Sequence, residues 1–465
     1  MIHQNRSSLE SAIAEAGNDV RTSLIDDLVY TAVFSSDAAT KAEARKQIHL
    51  VARRAGAISS SILPLYDAIG RGELDPKFTV PAHNIRALTY DVTRALFRAA
   101  MRHQVGPFIF EIARSEIGYT DQRPAEYAAC VLAAAVKEGF RGPVFIQGDH
   151  FQASAKKWAT PEGRAAETRA LESLIDEALA AEFYNIDIDT STLVDLSYPT
   201  RDEQQRANYE GTAHLTRYIR AHQPKGIDVS VGGEIGEVGK YNTQPDEVRA
   251  YMDGLKRNLG PIRGIAKISV QTGTSHGGVP MADGTIAQAK IDFNVLREVT
   301  EICRKESRIA GSVQHGASTL AESVFNKFPE AKAVEIHLAT GFQNMILDSQ
   351  AFPRDLKEAI RNFCFSSAAD ERKSGETDEQ FVYKTRKKAL GPFKQKMWDM
   401  PKDAKQKIVG ELEAKFEFLM EKLGVFGTRG VIEKHVPLRA ADLPAYAAAS
   451  EELTAAAVVD PDEGE

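Results

Sequence analysis

Cysteine is scarce. Cys130, Cys303 and Cys364 are too few and too scattered for a disulfide framework or a CxxC metal site. A reducing compartment is the simplest expectation, and the chain is expected in the cytoplasm. Positive charge is not in excess either: 58 Lys and Arg stand against 65 Asp and Glu, for a net charge of −7. Nucleic-acid and anionic-membrane partners, which favour a basic balance, are not expected. No apolar run approaches the roughly 20 residues of a membrane span. The opening residues MIHQNRSSLESAIAEAG lack the apolar core of a signal peptide. What remains is a soluble globular composition, 43% hydrophobic and 26% charged, with no internal repeat beyond the alternation described next.

Residues 1–77 are Ala-, Ser- and charge-rich, with helical spacing in Leu9–Ala16, Ile25–Ala32 and Ile48–Ile58, and are expected to form a helical extension. From Phe78 short β-branched runs alternate with longer amphipathic segments. The expected strands are Phe78–Ile85, Pro107–Ala113, Pro143–Gly148, Tyr184–Asp189, Asp228–Gly233, Ile265–Thr272, Ile309–Gln314 and Ala333–Ala339. A helical pattern follows each, Thr319–Phe328 among them. Eight such βα units in sequence predict a (β/α)8 TIM barrel over 78–365 rather than an open doubly wound sheet. Residues 366–465 are expected to form a basic, helical C-terminal extension with an acidic tail.

Polar residues gather where these strands end. Asp149 and His150 close the third strand (PVFIQGDH), Asp189 ends the fourth and Glu234 follows the fifth (VGGEIGEVG). His276 follows the sixth (ISVQTGTSHGG), His315 follows the seventh (IAGSVQHGAS), and His337 lies in the eighth. Barrel active sites are built at this C-terminal face. Any one of these histidines alone reads as an inert loop residue. Three imidazoles brought to one mouth make a zinc site with an open position, the catalytic pattern. Asp149 is the candidate acid/base. Gly277, Gly278 and Gly316 either allow tight turns or leave backbone N–H groups open to an anion. Ser318 adds a donor at an expected helix N-terminus, where phosphate binds well. The basic stretch Lys384–Lys396 is either an exposed helix face or a source of Arg386 or Lys387 for a substrate phosphate, across a subunit boundary in one version.

Taken in order, VPAHNI, QGDH, IDIDTS, GGEIGEVG, TGTSHGG, QHGAS and VEIHLATGFQ resemble the class II, zinc-dependent ketose-bisphosphate aldolases from about Val80 to Asn344. The resemblance implies Zn2+ on His150, His276 and His315, with Asp189 and Glu234 near the metal or holding a second divalent or a monovalent cation. It places Asp149 as catalytic acid/base and Asn84, Gly277, Gly316, Ser318, His337 and Thr340 against the substrate and its phosphate. It implies reversible aldol cleavage of a ketose bisphosphate, fructose 1,6-bisphosphate first, in glycolytic carbohydrate metabolism. The alternatives are another ketose phosphate, such as tagatose bisphosphate, and a non-catalytic aldolase-like subunit. A sugar phosphate is the expected partner, in a homo-oligomer of two or more chains. Schiff-base chemistry is disfavoured, because no lysine is seen at a strand end while three histidines are. Departures from the family pattern are His337 in place of asparagine, Ala339 in place of aspartate, no lysine around Pro280, Ala113 near the usual serine with Ser115 close by, and no carboxylate at Tyr241–Asn242, so that Glu237 or Glu247 would abstract the second proton.

Overall fold

The computed structural model describes residues 21, 23–236, 241–273 and 291–441. Its strands are β1 (Ala57–Ser59), β2 (Val80–Asn84), β3 (Ile109–Ala113), β4 (Gly142–Gln152), β5 (Asn185–Asp189), β6 (Ser230–Glu234), β7 (Lys267–Val270), β8 (Ser312–Gln314) and β9 (Glu335–Leu338). Strands β2 to β9 pair in parallel with their chain neighbours, and β9 pairs back onto β2, so the barrel closes. All eight expected strands are present in this (β/α)8 barrel. They are buried along almost their whole length, which is why their sequences read as apolar runs rather than as alternation.

Local chemistry explains the helices between them. Pro161–Ala180 opens with proline in its first turn and is capped by the Thr160 hydroxyl, which accepts from Gly163 N. Arg201–His222 is capped in the same way by Thr200. Phe97 of the helix Thr89–Arg102 packs on Phe110 of β3 and on Phe140, ring centroids 4.9 Å apart in each case, fixing helix to sheet. The expected helix Thr319–Phe328 does not form. A 3-10 turn at Glu322–Val324 and a single turn at Lys327–Glu330 replace it. Pro329 is tolerated only in a first turn, so the helix restarts around it, and Phe325 and Phe328 are both buried at this break.

The described parts of both extensions pack against the barrel, while the expected helix Leu9–Ala16 and the acidic tail lie outside the described residues. Helices Ser23–Phe34 and Ala38–Ala55 precede β1, which contains Ile58 where the spacing predicts helix. β1 pairs with the first residues of β4, whose later residues pair with β5. Asn185 of β5 ties this seam: its amide donates to the Ser60 and Ile146 carbonyls and its carbonyl accepts from Ile62 N. At the other end Lys402–Lys422 turns Ile408, Leu412, Phe416 and Leu419 inward at helical spacing, and Glu413 anchors it to Arg98 and Arg102 of Thr89–Arg102. No helix among the described residues is long and apolar enough to cross a membrane.

Candidate active site

β4 overruns its expected end and carries both Asp149 and His150 inside the strand. Successive strand residues normally point to opposite faces. Here the register against β5 shifts between Gly148 and Phe151, and His150 sits at φ 39°. A non-glycine residue in that region is uncommon and costs of order 1–3 kcal/mol. The bulge lets the neighbouring Asp149 and His150 line one pocket. Gly148 makes it sterically feasible, since a Cβ there would stand 2.5 Å from the Phe151 ring.

His150 Nδ1 lies 3.0 Å from Asp189 Oδ2 and 3.2 Å from Glu234 Oε2. His315 arrives from the end of β8, where Gly316 turns the chain at φ 66°. Its ring centroid is 4.2 Å from that of His150, its Nδ1 is 3.8 Å from Glu234 Oε2, and its Nε2 is 3.2 Å from Ser269 Oγ. His150, Glu234 and His315 thus offer three ligand atoms within 4.8 Å of one another, two imidazoles and a carboxylate, which suit zinc. The local field agrees. Burial works against charge on His150, yet Asp149 and Glu234 outweigh it and, with the Asp189 hydrogen bond, hold the imidazole well above its ordinary range. Asp149, Asp189 and Glu234 surround the ring with carboxylate oxygens, a concentration of negative charge that a divalent cation would compensate. Burial would likewise raise Asp149, but His150, His337 and His315 hold its carboxyl well below the usual range. His276 and Gly277, with Gly278 and Glu237, lie outside the described residues.

The rest of the pocket wall is Asn84, Arg86, Ala113, Ser115, Glu116, Gly316, Ser318, Thr319, His337, Ala339 and Thr340. Ser318 starts no helix; its hydroxyl instead accepts from Gly341 N at 3.0 Å, joining the β8 loop to the first turn of Thr340–Asp348. Arg86 and Glu116 are pocket-lining residues that sequence reasoning missed. Glu116 Oε1 accepts from Arg86 Nη2 at 2.6 Å, while Oε2 accepts from the Asn84 amide and from Ala113 N, both at 2.7 Å. Arg86 Nη1 reaches Thr340 Oγ1 and Gln343 Oε1 at 3.4 Å, on the side where phosphate was expected. Arg386 is engaged elsewhere, on Asp348 and Asn344, and Lys387 lies over the Tyr119 ring. Glu247 caps its own helix and pairs with Arg201.

Beneath the pocket the barrel is filled by charge. Lys267, at the start of β7, is 1% exposed and donates to Asp187 Oδ2 and Gln147 Oε1 at 2.8 and 2.9 Å, and to Glu335. Tyr66 also donates to Glu335. Glu111 accepts from Gln147 Nε2 at 2.9 Å; burial, with Asp149 nearby, pushes its carboxyl well up. One lysine therefore does stand on a barrel strand. Burial would lower it, but Asp187 and Glu335 keep its ammonium above the ordinary lysine range, the opposite of what an amine nucleophile needs. The available signal was a charged residue inside each apolar run: Glu111 in IFEIA, Asp187 in NIDID, Lys267 in KISV and Glu335 in EIHL.

A family model described as class-II fructose-bisphosphate aldolase matches residues 74–412. The chain belongs to this family. Three solved structures resemble this aldolase-family chain. A probable tagatose 6 phosphate kinase from Sinorhizobium meliloti 1021 is 16% identical, with 81% of this chain and 98% of that one covered and a TM-score of 0.50. The fructose-bisphosphate aldolase of Campylobacter jejuni is 17% identical over 80% and 96% at 0.49. A putative fructose-1,6-biphosphate aldolase from Coccidioides immitis is 16% identical over 80% and 99% at 0.46. Such identities bear on the barrel alone. No curated protein matches this aldolase-family chain.

Proposed function

We propose that this chain is a zinc-dependent class II aldolase that reversibly cleaves a ketose bisphosphate, with fructose 1,6-bisphosphate as the first substrate to test. The observation that carries the reading is the buried Asp149 carboxylate, held ionised, beside the paired imidazoles of His150 and His315 and the Glu234 carboxylate. His150 and His315 would hold the ion with His276, and Glu234 and Asp189 would flank it. Bound zinc would act as a Lewis acid on the substrate carbonyl. Asp149 would take the proton of the hydroxyl that becomes the aldehyde, and return it in the condensation direction. Asn84, Gly277, Gly316, Ser318 and Thr340 would hold the phosphate and so fix the reacting carbon beside Asp149. The carbon that keeps the bonding pair would take a proton, a task this reading leaves to Glu237, so that the products are dihydroxyacetone phosphate and glyceraldehyde 3-phosphate. The reading includes a cytoplasmic homo-oligomer of two or more chains.

The test is a metal assay coupled to a cleavage screen. Zinc bound near one per chain, with cleavage of fructose 1,6-bisphosphate abolished by EDTA and restored by Zn2+, is expected. A second reading follows from His337 and Ala339, which change the strand leading to Thr340: the sugar is a different ketose phosphate, tagatose bisphosphate among them. Zinc without fructose bisphosphate turnover but with turnover of that sugar would select it. A purified protein free of metal and inert to every ketose phosphate would remove both readings.

A further inference from the structure

We infer that His337 is a positioning residue whose ring fixes the Asp149 carboxylate by bridging it to the charged floor of the barrel. The inference deepens the aldolase reading and rests on it for the role of Asp149. His337 is 5% exposed on β9, and both of its ring nitrogens face carboxylates. Nδ1 lies 3.1 Å from Asp149 Oδ1 and 3.1 Å from Glu111 Oε2, and Nε2 lies 2.7 Å from Glu335 Oε1. Each ring nitrogen therefore stands within hydrogen-bond distance of a carboxylate oxygen, one at the pocket and one in the floor.

The far end of the bridge is held from several sides. Glu335 is itself held by Lys267, by the Tyr66 hydroxyl and by Gln147 Nε2 at 3.0 Å. Turning the imidazole away would take a partner from two buried carboxylates at once. The His315 ring, 4.1 Å away by centroid, packs against it from the pocket side. One oxygen of Asp149 is thereby committed to His337, and the direction in which the carboxylate meets a substrate hydroxyl is set. Misplacement of a reacting group by about 1 Å can cost about 100-fold in rate.

Asparagine and glutamine separate the two ends of the bridge. An asparagine amide overlies the Nδ1 position, which meets Asp149; a glutamine amide overlies Nε2, which meets Glu335. In full-length, zinc-loaded protein, His337→Ala is expected to keep the wild-type zinc content and to lower kcat about 10- to 100-fold, with KM within about threefold. His337→Asn is expected to recover much of that kcat, and His337→Gln little of it. Zinc lost from the Ala and Asn variants alike would make His337 a metal ligand and overturn the inference. Unchanged kcat in His337→Ala, a rise in KM with kcat kept, or equal rescue by Asn and Gln would overturn it too. If His337→Ala does not fold, the Asn and Gln variants compared with wild type make the same distinction. If wild-type zinc protein cleaves no ketose phosphate, the aldolase reading falls and crystal structures decide the positioning role. Asp149 keeping one orientation in wild type and His337→Asn but turning away in His337→Gln supports it; the same orientation in all three refutes it.

Discussion

Replacing Lys267 by methionine tests the charged floor directly. The two side chains are similar in length, so packing changes little and the ammonium is what is lost. Asp187 and Glu335, both buried, would then face each other near Glu111 with His337 as the remaining cation, 3.7 and 2.7 Å away. Removing one partner of a buried pair costs about 3–5 kcal/mol, because the other charge stays without compensation. That is a large share of the about 5–15 kcal/mol that holds a typical domain folded. Equilibrium unfolding in guanidinium, followed through Trp158 and Trp398, should move the midpoint down by about 0.6–1 M for a slope of about 5 kcal/mol/M. Adding Asp187→Asn should return a substantial part of the loss, since it removes one of the two stranded charges. A Lys267→Met protein within about 1 kcal/mol of wild type would refute the reasoning, because the lysine would then not be a paired, buried cation. Borohydride with substrate should also trap no adduct on wild-type protein; a covalent sugar on Lys267 would reinstate Schiff-base chemistry.

Three further outcomes are expected. His315→Ala should lose bound zinc and turnover together, measured by metal analysis and a coupled assay. Asp149→Asn should keep its zinc while kcat falls by about 100-fold or more, the usual worth of an acid/base group; near-normal turnover would remove its assigned role. Glu182 is buried, which alone would raise its pKa, but His49 and Arg53 hold it at about 2 against 4.5 unfolded. A depressed carboxyl stabilises the fold above the unfolded value, and that stability drains as pH falls from about 4.5 to 2. Glu182→Gln should therefore cost about 3 kcal/mol near neutrality and flatten the acid limb of the stability curve; an unchanged limb would contradict this.

The barrel was legible because parallel strands buried on both faces announce themselves as short β-branched runs between amphipathic helices. The neighbourhood of Asp149, His150, Asp189, Glu234 and His315 followed from where those runs stop, once the barrel gave them a common mouth. Three things were not legible. The bulge at His150 is a backbone event, and QGDH reads equally well as a strand end. The roles of Glu111, Asp187, Lys267 and Glu335 depend on which side chains point into the lumen and meet across it, which only closure determines. Arg86 stands two residues beyond β2 and Glu116 in the short helix Arg114–Tyr119 that follows β3, so their pairing is a contact between separate βα units.

The three residues of β1 change what counts as the enzyme. They sit upstream of the first barrel strand, yet they occupy the lower flank of β4, the strand that presents Asp149 and His150 at its other end. Asn185 then stitches the residues that follow β1 to both strands of the seam. Trimming the chain at Phe78 would strip β1 from the flank of β4 and leave Asn185 without its Ser60 and Ile62 partners, so the segment before the first barrel strand supports the strand that carries the site.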